Sequence, residues 1–257
     1  MPTTLHSGTW VTCPQPPNPQ ANLRLFCLPY AGASTRAFFS WAEHLPSTVE
    51  LCPIELPGHG PRLKEKAFTQ LQPLVEAIAT AILPYLDKPF ACFGHSMGAL
   101  LSFELAHLLQ NRYDQSPSHL LLSGRRAPQT PSLAAPIYAL PDAAFIQGLR
   151  QYNGMPEKIL QNAQLMELLL PMLRADFTLM ETYNYVPHSP LDCPMTIFGG
   201  REDLTVSYEA LTSWQQHTRA AFTVQMLPGT HFFIHSAQPL LLLSLSKTLE
   251  SICPKNS

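Results

Sequence analysis

Charged side chains are scarce in this sequence. Asp, Glu, Lys and Arg together make up 13% of its 257 residues, whereas roughly 25% is usual in a soluble domain. The formal net charge is -2 at pH 7, so there is no sign of the basic surface that binding to nucleic acid requires. We therefore expect no nucleic-acid partner. We also expect a partly apolar surface, suited to a hydrophobic substrate or a protein partner.

Long apolar runs and closely spaced cysteines are also lacking. The longest apolar run, near residues 240–243, is far too short to span a bilayer. Residues 1–20 contain no basic segment followed by an apolar one, and hence no visible secretory signal. No two cysteines have C-x-x-C spacing, which argues against a zinc site or a redox motif. We expect a cytoplasmic protein without metal or membrane attachment. The six cysteines are Cys13, Cys27, Cys52, Cys92, Cys193 and Cys253.

Hydrophobic residues, by contrast, are plentiful. At 46% of the chain they suffice for a packed core, and the length suits one large domain. Short apolar runs alternate with longer helical patterns, which predicts an α/β fold with a mostly parallel sheet and helices on both faces. Residues 1–22, which are rich in proline, are predicted to be an extended arm outside the core, and residues 23–257 the main domain. The strand-like runs are residues 25–28, 51–54, 90–93, 120–122, 195–198 and 222–227.

The alternation is interrupted from about residue 128 to residue 190. This region has a helical pattern without a convincing strand, which predicts a helical lid inserted between two strands. Pro171 is expected to kink or divide the helix that is predicted within residues 164–185. Apolar residues cover more of that helix than one core-facing stripe needs. This favours a lid with an apolar underside over ordinary packing helices.

Residues 94–98, with the sequence GHSMG, fit the G-x-S-x-G pattern. A strand-like run precedes them and a helical pattern follows, which is the context that a nucleophile turn requires. The glycines suit a tight, strained turn, and the following helix directs its positive end toward developing negative charge. We therefore predict that Ser96 is a catalytic nucleophile. The alternative is a serine that merely fills a turn.

A serine hydroxyl needs a base, and in this context the expected chain order is serine, acid, histidine. Asp203 follows the strand-like run that ends at residue 198, so we predict it to be the acid that orients the histidine. Glu202, next to it, is the rival. Asp192 precedes the same strand and should lie at its wrong end.

The predicted base is His231, which follows the last strand-like run. His217 and His235 are the late competitors, and each is interpreted as a solvated helix residue. An oxyanion hole needs two backbone N–H donors. We predict that Met97, directly after the nucleophile, supplies one. Ala31, in the loop after the first strand, is predicted to supply the second, with Tyr30 as the alternative.

Several blocks of the sequence together resemble a known family. The blocks are residues 28–32 (LPYAG), 56–60 (LPGHG) with Arg62, 93–98 (FGHSMG), 154–156 (GMP), 170–171 (LP), 174–176 (RAD), 200–203 (GRED) and 229–232 (GTHF). The chain resembles the type II thioesterases that accompany non-ribosomal peptide and polyketide synthetases, which have the α/β-hydrolase fold. The lid motifs and the order of the blocks are more specific than GHSMG alone. The family often has two glycines in the first loop, where this chain has Gly32 and Ala33.

The resemblance implies a serine thioesterase that needs no cofactor. Its substrate would be an acyl or aminoacyl group on the phosphopantetheine arm of an acyl or peptidyl carrier protein, and its role would be editing of a synthetase. Similar enzymes release medium-chain fatty acids from fatty-acid synthase, and a small-molecule carboxylesterase would use the same triad. We expect a monomer. The lid residues expected to line an apolar acyl chamber are Met155, Leu169, Met172 and Phe177.

Overall fold

The centre of the fold is a parallel β-sheet. The computed structural model of the chain describes residues 9–12, 18–132, 134–152 and 154–253. Within these ranges six strands form one sheet in the order β2-β1-β3-β4-β5-β6, and every neighbouring pair is parallel. The predicted α/β fold is therefore confirmed. The strands are β1 (Leu23–Leu28), β2 (Val49–Pro53), β3 (Phe90–His95), β4 (His119–Ser123), β5 (Met195–Gly200) and β6 (Phe222–Leu227).

Helices cover both faces of this sheet and form the insertion between β4 and β5. Eight α-helices and four short 3-10 helices lie in the described part of the chain. The α-helices are α1 (Leu71–Ile82), α2 (Met97–Tyr113), α3 (Asp142–Arg150), α4 (Glu157–Leu160), α5 (Ala163–Glu181), α6 (Tyr208–Thr212), α7 (Phe233–Ser236) and α8 (Gln238–Ile252). The 3-10 helices are Thr35–Glu43, Gly60–Arg62, Leu83–Tyr85 and Ser213–His217. None of the described helices is long and apolar enough to cross a membrane.

Strand β1 illustrates why the strands appear as continuous apolar runs in the sequence. Successive side chains of a strand point to opposite faces of the sheet. Phe26 and Leu28 are buried with α1 and α2 on one face, whereas Leu25 and Cys27 are buried with α8 on the other. Because both faces are covered, polar residues have no solvent side to occupy. Each large buried side chain stabilises the fold by about 1.5–3 kcal/mol.

The predicted lid consists of α3, α4 and α5, between β4 and β5. Helix α5 is continuous although it contains Pro171, so the proline does not divide it. Pro171 lies on the exposed side of the helix, where the carbonyl group that loses its hydrogen bond can bond to water. The lid has a hydrophobic cluster of its own, distinct from the two that flank the sheet. Its buried members are Phe145, Leu149, Leu160, Met166, Met172, Leu173 and Phe177.

Part of the predicted N-terminal arm packs against the core. Residues 1–8 and 13–17, which include four of the five prolines in this region, lie outside the described residues. Val11 is buried, and it forms an antiparallel bridge with Ile54, just beyond β2. The Arg62 guanidinium lies 4.4 Å from the centre of the Trp10 ring. The prediction of an arm outside the core is therefore wrong at Val11, because this apolar side chain extends the cluster beside β2.

Candidate active site

Ser96 lies in the sharp turn between β3 and α2. Its φ of 53° and ψ of -109° are unusual for a residue with a side chain. The Ser96 N–H donates a hydrogen bond of 2.7 Å to the carbonyl oxygen of Ser123, at the end of the neighbouring strand β4. Backbone strain of this kind costs about 1–3 kcal/mol and persists where the surrounding structure enforces it, often at functional sites. The turn leaves Ser96 partly exposed, whereas His95 and Met97 on either side are fully buried.

The structure brings Ser96, His231 and Asp203 together. His231 Nε2 lies 3.1 Å from Ser96 Oγ, and His231 Nδ1 lies 2.8 Å from Asp203 Oδ2. Asp203 follows β5 and His231 follows β6, two parallel neighbours whose carboxyl ends meet at the same edge of the sheet as that of β3. The three residues are far apart in sequence, and it is this shared edge that brings them into contact.

These contacts determine where His231 carries its proton. A carboxylate oxygen can only accept, so Nδ1–H donates to Asp203 and Nε2 is left to accept from the Ser96 hydroxyl. Burial acts to raise the pKa of Asp203, but hydrogen bonds and charge from His231, and hydrogen bonds from Thr205, outweigh it and hold the pKa below its usual value. Asp203 is thus ionised at neutral pH and orients the ring with its basic nitrogen toward Ser96.

Thr205 is a member of this site that sequence reasoning misses. Its backbone N–H and its hydroxyl both donate to Asp203 Oδ1, at 2.8 and 2.6 Å. Its Oγ1 also lies 3.2 Å from His231 Nδ1. An Asp side chain often accepts a hydrogen bond from the backbone N–H two residues further on, so the sequence carries a weak signal for this position. Thr205 leaves Asp203 few orientations other than the one that faces His231.

The ring of His95 packs beside His231 without adding a charge. The two ring centres lie 5.2 Å apart, and His95 Nδ1 lies 2.9 Å from the hydroxyl oxygen of Ser123. Burial, followed by the nearby rings of His231 and His235, lowers the pKa of His95 well below its ordinary value. His95 therefore stays neutral at physiological pH.

The two predicted oxyanion donors lie on adjoining backbone segments. Met97 is the first residue of α2, where the backbone N–H groups have no partner within the helix. Ala31 lies in the loop after β1 and is partly exposed. A Cβ atom at Gly98 would lie only 2.1 Å from the carbonyl oxygen of Leu28, so this loop begins in direct contact with the first turn of α2. The positive end of α2 faces the same region.

The residues considered as alternatives for the acid and the base take no part in the hydrogen bonds that link Asp203, His231 and Ser96. Glu202 is exposed, and Asp192 pairs with Arg219 at 3.4 Å before β5 begins. His235 is exposed, and its Nε2 lies 2.7 Å from the Tyr30 hydroxyl. The interpretation of His217 as a solvated residue is wrong: it is buried, with Nε2 2.6 Å from Gln129 Oε1. His217 is the last residue of its 3-10 helix, and its ring packs inward against Phe103 and Trp214, which its local sequence does not indicate.

The four predicted lid residues all belong to the hydrophobic cluster of the lid, at different depths. Met172 and Phe177 are buried, with 6% and 5% of their surface exposed. Met155 and Leu169 are partly exposed at the edge of the cluster. Tyr152, which the sequence does not single out, links the cluster to the site. Its ring centre lies 5.4 Å from that of Phe177 and 6.1 Å from that of His231. Among the described residues, no group of three or more His, Cys, Asp or Glu side chains is arranged to hold a metal ion.

A comparison with protein families identifies the class of this site. The family model described as a thioesterase domain matches residues 23–249. The chain belongs to the thioesterase family. Thioesterases are hydrolases that act on thioester bonds, so the predicted enzyme class is confirmed.

Individual thioesterases and their relatives cover nearly the whole chain. The gramicidin S biosynthesis protein GrsT of Aneurinibacillus migulanus is 45% identical over 91% of this chain and 92% of its own length. The medium-chain S-acyl fatty acid synthase thioesterase of Rattus norvegicus is 31% identical, over 84% of this chain and 83% of its own. The solved structure of the type II thioesterase BorB from the borrelidin biosynthetic cluster has a TM-score of 0.86 at 30% identity, covering 96% of this chain and 100% of BorB. The predicted resemblance to type II thioesterases and the α/β-hydrolase fold are confirmed.

Proposed function

We propose that this thioesterase removes acyl or aminoacyl groups from the phosphopantetheine arm of a carrier protein, with Ser96 as nucleophile, His231 as general base and Asp203 as the orienting acid. The observation that carries the proposal is the chain of contacts from Asp203 through His231 to Ser96, at 2.8 and 3.1 Å. These distances lie within the range that proton transfer between side chains requires. In the proposed biological role, the enzyme clears misprimed or stalled groups from a peptide or polyketide synthetase.

The proposed reaction has two halves. The Ser96 hydroxyl attacks the thioester carbonyl carbon while His231 Nε2 takes its proton, forming a tetrahedral oxyanion. Collapse of this intermediate breaks the carbon–sulfur bond, and His231 returns the proton to the leaving thiol of phosphopantetheine. A water molecule, deprotonated by His231, then attacks the acyl-Ser96 ester. The acid is released and Ser96 regains its proton.

Stabilisation of the oxyanion is assigned to the backbone. In the proposed arrangement the N–H groups of Met97 and Ala31 donate to the developing negative charge, with the positive end of α2 behind Met97. The contact between Gly98 and Leu28 supports this pairing, because it brings the loop after β1 against the start of α2. Asp203 holds the tautomer of His231 and stabilises the imidazolium that forms during each proton transfer.

The lid region at about residues 128–190 is proposed to cover the acyl group. The lid cluster contacts Tyr152, whose ring lies beside His231, and this supports an apolar chamber next to the nucleophile. The exposed edge of the cluster at Met155 and Leu169 is the part proposed to contact the acyl chain. The carrier protein docks outside, and binding energy gained there can raise turnover as well as affinity. The proposed enzyme works as a monomer in the cytoplasm.

The carrier-protein proposal is tested by comparing one acyl group on two thiols. We expect a higher kcat/KM for the acyl group on a holo carrier protein than for the same group on N-acetylcysteamine. Equal values on the two thiols would leave a general thioesterase. A higher value for the matching oxygen ester would point instead to a small-molecule carboxylesterase.

A second candidate has support from the rat relative, whose name designates a medium-chain fatty acid synthase thioesterase. This candidate function is the release of medium-chain acyl groups from acyl carrier protein. Acetyl, aminoacyl and decanoyl groups on the same carrier distinguish the two. The synthetase-editing proposal expects turnover of the short and aminoacyl groups, whereas the fatty-acid alternative expects a strong preference for decanoyl.

The role of Ser96 is tested with the Ser96→Ala variant. The side chain is small and lies on a partly exposed turn, so the fold should survive its removal. We expect turnover to fall on the order of a million-fold, as when the nucleophile of a serine protease is removed. A folded variant that retained a tenth of wild-type turnover would rule out Ser96 as the nucleophile.

A further inference from the structure

One carboxylate oxygen joins the lid to the two loops beneath it. Asp176, on lid helix α5, is buried with 3% of its surface exposed. Its Oδ2 accepts a hydrogen bond of 2.8 Å from the backbone N–H of Gly32, in the loop after β1. The same oxygen lies 2.9 Å from Nε2 of His59, in the loop after β2. No hydrogen bond joins Asp176, Gly32 or His59 to Ser96 or His231 in the described part of the chain. The proposed reaction therefore gives these three residues no role.

Helix α5 also touches Gly32 by packing. Gly32 has a φ of 79°, in the left-handed region, and a Cβ atom there would lie 2.7 Å from Cδ2 of Leu173. Leu173 is three residues before Asp176, so both side chains lie on the same face of α5. One face of the lid helix therefore rests directly on the loop that contains Ala31.

His59 holds the other side of this junction as a cation. Its Nδ1 lies 3.1 Å from the carbonyl oxygen of Pro57, which can only accept, and its Nε2 faces the Asp176 carboxylate. Both ring nitrogens must therefore carry hydrogen. Burial acts to lower the pKa of His59, but the charge of Asp176 and hydrogen bonds to Asp176 and Pro57 outweigh it and raise the pKa. The charged neighbours from the loop after β2 are Glu55 and Arg62.

The contact at Gly32 restricts the backbone of Ala31. A peptide unit is planar, with its C=O and N–H pointing in opposite directions. The Tyr30 carbonyl oxygen accepts from the Ala33 N–H at 3.0 Å, which directs the Ala31 N–H the opposite way. The next peptide unit is held by the bond from the Gly32 N–H to Asp176. Both planes that flank the Ala31 Cα are thus fixed, one of them by the lid.

We propose that Asp176, paired with protonated His59, is a positioning residue that fixes the peptide after Ala31 and so couples the seating of lid helix α5 to the geometry of the oxyanion hole. This inference rests on the proposed function, in which Ala31 supplies one oxyanion donor. It follows that an open lid leaves the hole incomplete. Hydrolysis is then favoured only when α5 is seated on the loop.

The test uses two ligands that differ in the oxygen that enters the hole. Ser96 adds to the carbonyl carbon of a trifluoromethyl ketone analogue of the acyl group, passes its proton to His231 and forms a hemiketal oxyanion. The matched trifluoroalkane, with CH₂ in place of the carbonyl group, has no such oxygen. The ratio of the two dissociation constants therefore reports on the hole and not on the acyl chamber. We expect Asp176→Ala to weaken the ketone by roughly a hundredfold, since loss of an oxyanion donor costs about a hundredfold to a thousandfold. Binding of the trifluoroalkane should stay unchanged.

Two further variants separate positioning from general stability. Asp176→Asn keeps the volume and one acceptor but loses the charge that holds the second proton on His59, and we expect a smaller loss of ketone affinity, about tenfold. If Asp176→Ala does not fold, the ratio of the two dissociation constants for Asp176→Asn alone tests the positioning role. Glu181→Gln is the matched control, because Glu181 lies on the same helix and accepts from the backbone N–H groups of Ile137 and Tyr138. We expect a lower Tm for it without a change in the ligand ratio.

The outcomes distinguish this inference from the function on which it rests. A ligand ratio for the Asp176 variants equal to that of Glu181→Gln would overturn the positioning role, even if the enzyme remained a serine thioesterase. Unchanged turnover and ketone binding in Ser96→Ala would instead overturn the proposed function itself. A fall in kcat for Asp176→Asn with little change in KM, together with the shifted ratio, is the result we expect.

Discussion

A Cβ atom on Gly94 would lie 2.0 Å from the carbonyl oxygen of Gly98. The last residues of β3 and the first turn of α2 are thus in backbone contact around Ser96. No side chain can shift to relieve such an overlap, because the obstructing atoms belong to the main chain of the helix. This steric reason requires a glycine at position 94. Gly98 has a different backbone obstacle, since a Cβ atom there would lie 2.1 Å from the Leu28 carbonyl oxygen. The strained turn at Ser96 depends on both glycines.

Gly94→Ala should therefore destabilise the protein or prevent its folding. Overpacking a core typically costs about 1–3 kcal/mol of stability. We expect a cost at the upper end of this range, because the obstacle at Gly94 is rigid backbone. Gly148→Ala is the matched control, because its added Cβ would meet side-chain atoms of Ile137, with Cδ1 at 2.9 Å and Cγ2 at 3.1 Å, and no backbone atom among its nearest neighbours. Chemical denaturation of the two variants measures the difference. Equal free energies of unfolding would contradict the steric account.

Asp203→Asn should reduce turnover by roughly ten-thousand-fold while substrate binding stays near normal. The amide would favour the wrong tautomer of His231, with its basic nitrogen turned away from Ser96. Glu202→Gln, at the adjacent exposed position, should retain near wild-type turnover. Steady-state kinetics on one thioester measures both variants. If Glu202→Gln proved the crippling change, the assignment of the acid would be wrong by one residue.

Asp substitutions along helix α5 should affect the Tm and the acyl preference according to how deeply each side chain is buried. Leu169→Asp, at the partly exposed edge of the lid cluster, is expected to shift acyl preference while Ser96 still reacts with a small serine-directed inhibitor. Met172→Asp buries a carboxylate without a partner and should lower the Tm strongly, because an unpaired buried charge is costly. Leu168→Asp, where the side chain is 55% exposed, is the control for both. A large fall in the Tm of Leu169→Asp would show that Leu169 is a core residue.

Acidification should destabilise the fold before the carboxylates titrate. Burial lowers the pKa of His107 to about 3, with the nearby rings of His188 and His217 adding to the effect. Burial also lowers the pKa of His119 to about 4 and that of His217, beside His188, to about 4. Between about pH 6.5, the ordinary pKa of histidine, and these values, the unfolded chain binds more protons than the folded one. The free energy of unfolding should therefore fall as the pH falls through this window.

Thermal melting from about pH 7 to pH 5 checks this expectation. The His107→Gln variant should show a smaller decrease in Tm over this range, since one of the responsible groups is gone. His44→Gln, at an exposed position, should behave like the wild type. A Tm that stayed constant or rose on acidification would contradict the expectation. His59 acts in the opposite sense, because its pKa is raised in the folded state. Its contribution to stability is fully present at pH values below the ordinary pKa of histidine, and it is lost as the pH rises through the raised pKa.

Much of the fold and of the candidate site could be predicted because the signals are local. Strands buried on both faces form continuous apolar runs, and all six predicted runs overlap observed strands. Ser96 is marked by a strand, a tight turn and a helix that follow one another directly in the sequence. Asp203 and His231 each come after a predicted strand, and parallel strands bring such positions to one edge. Thr205 has a weaker local signal, and its role became visible only beside His231.

The sequence by itself determined the order of strands and helices, the strained turn at Ser96 and the loops that carry Asp203 and His231, because short-range sterics and periodic burial specify them. Tertiary structure alone decided which distant groups meet. Gly32 and His59 lie 144 and 117 residues from Asp176 along the chain, and no local pattern indicates that they share one oxygen. The same holds for the burial of His217 and Val11. Such contacts depend on how the lid and the edges of the sheet pack, since they form only after the chain has folded over long distances.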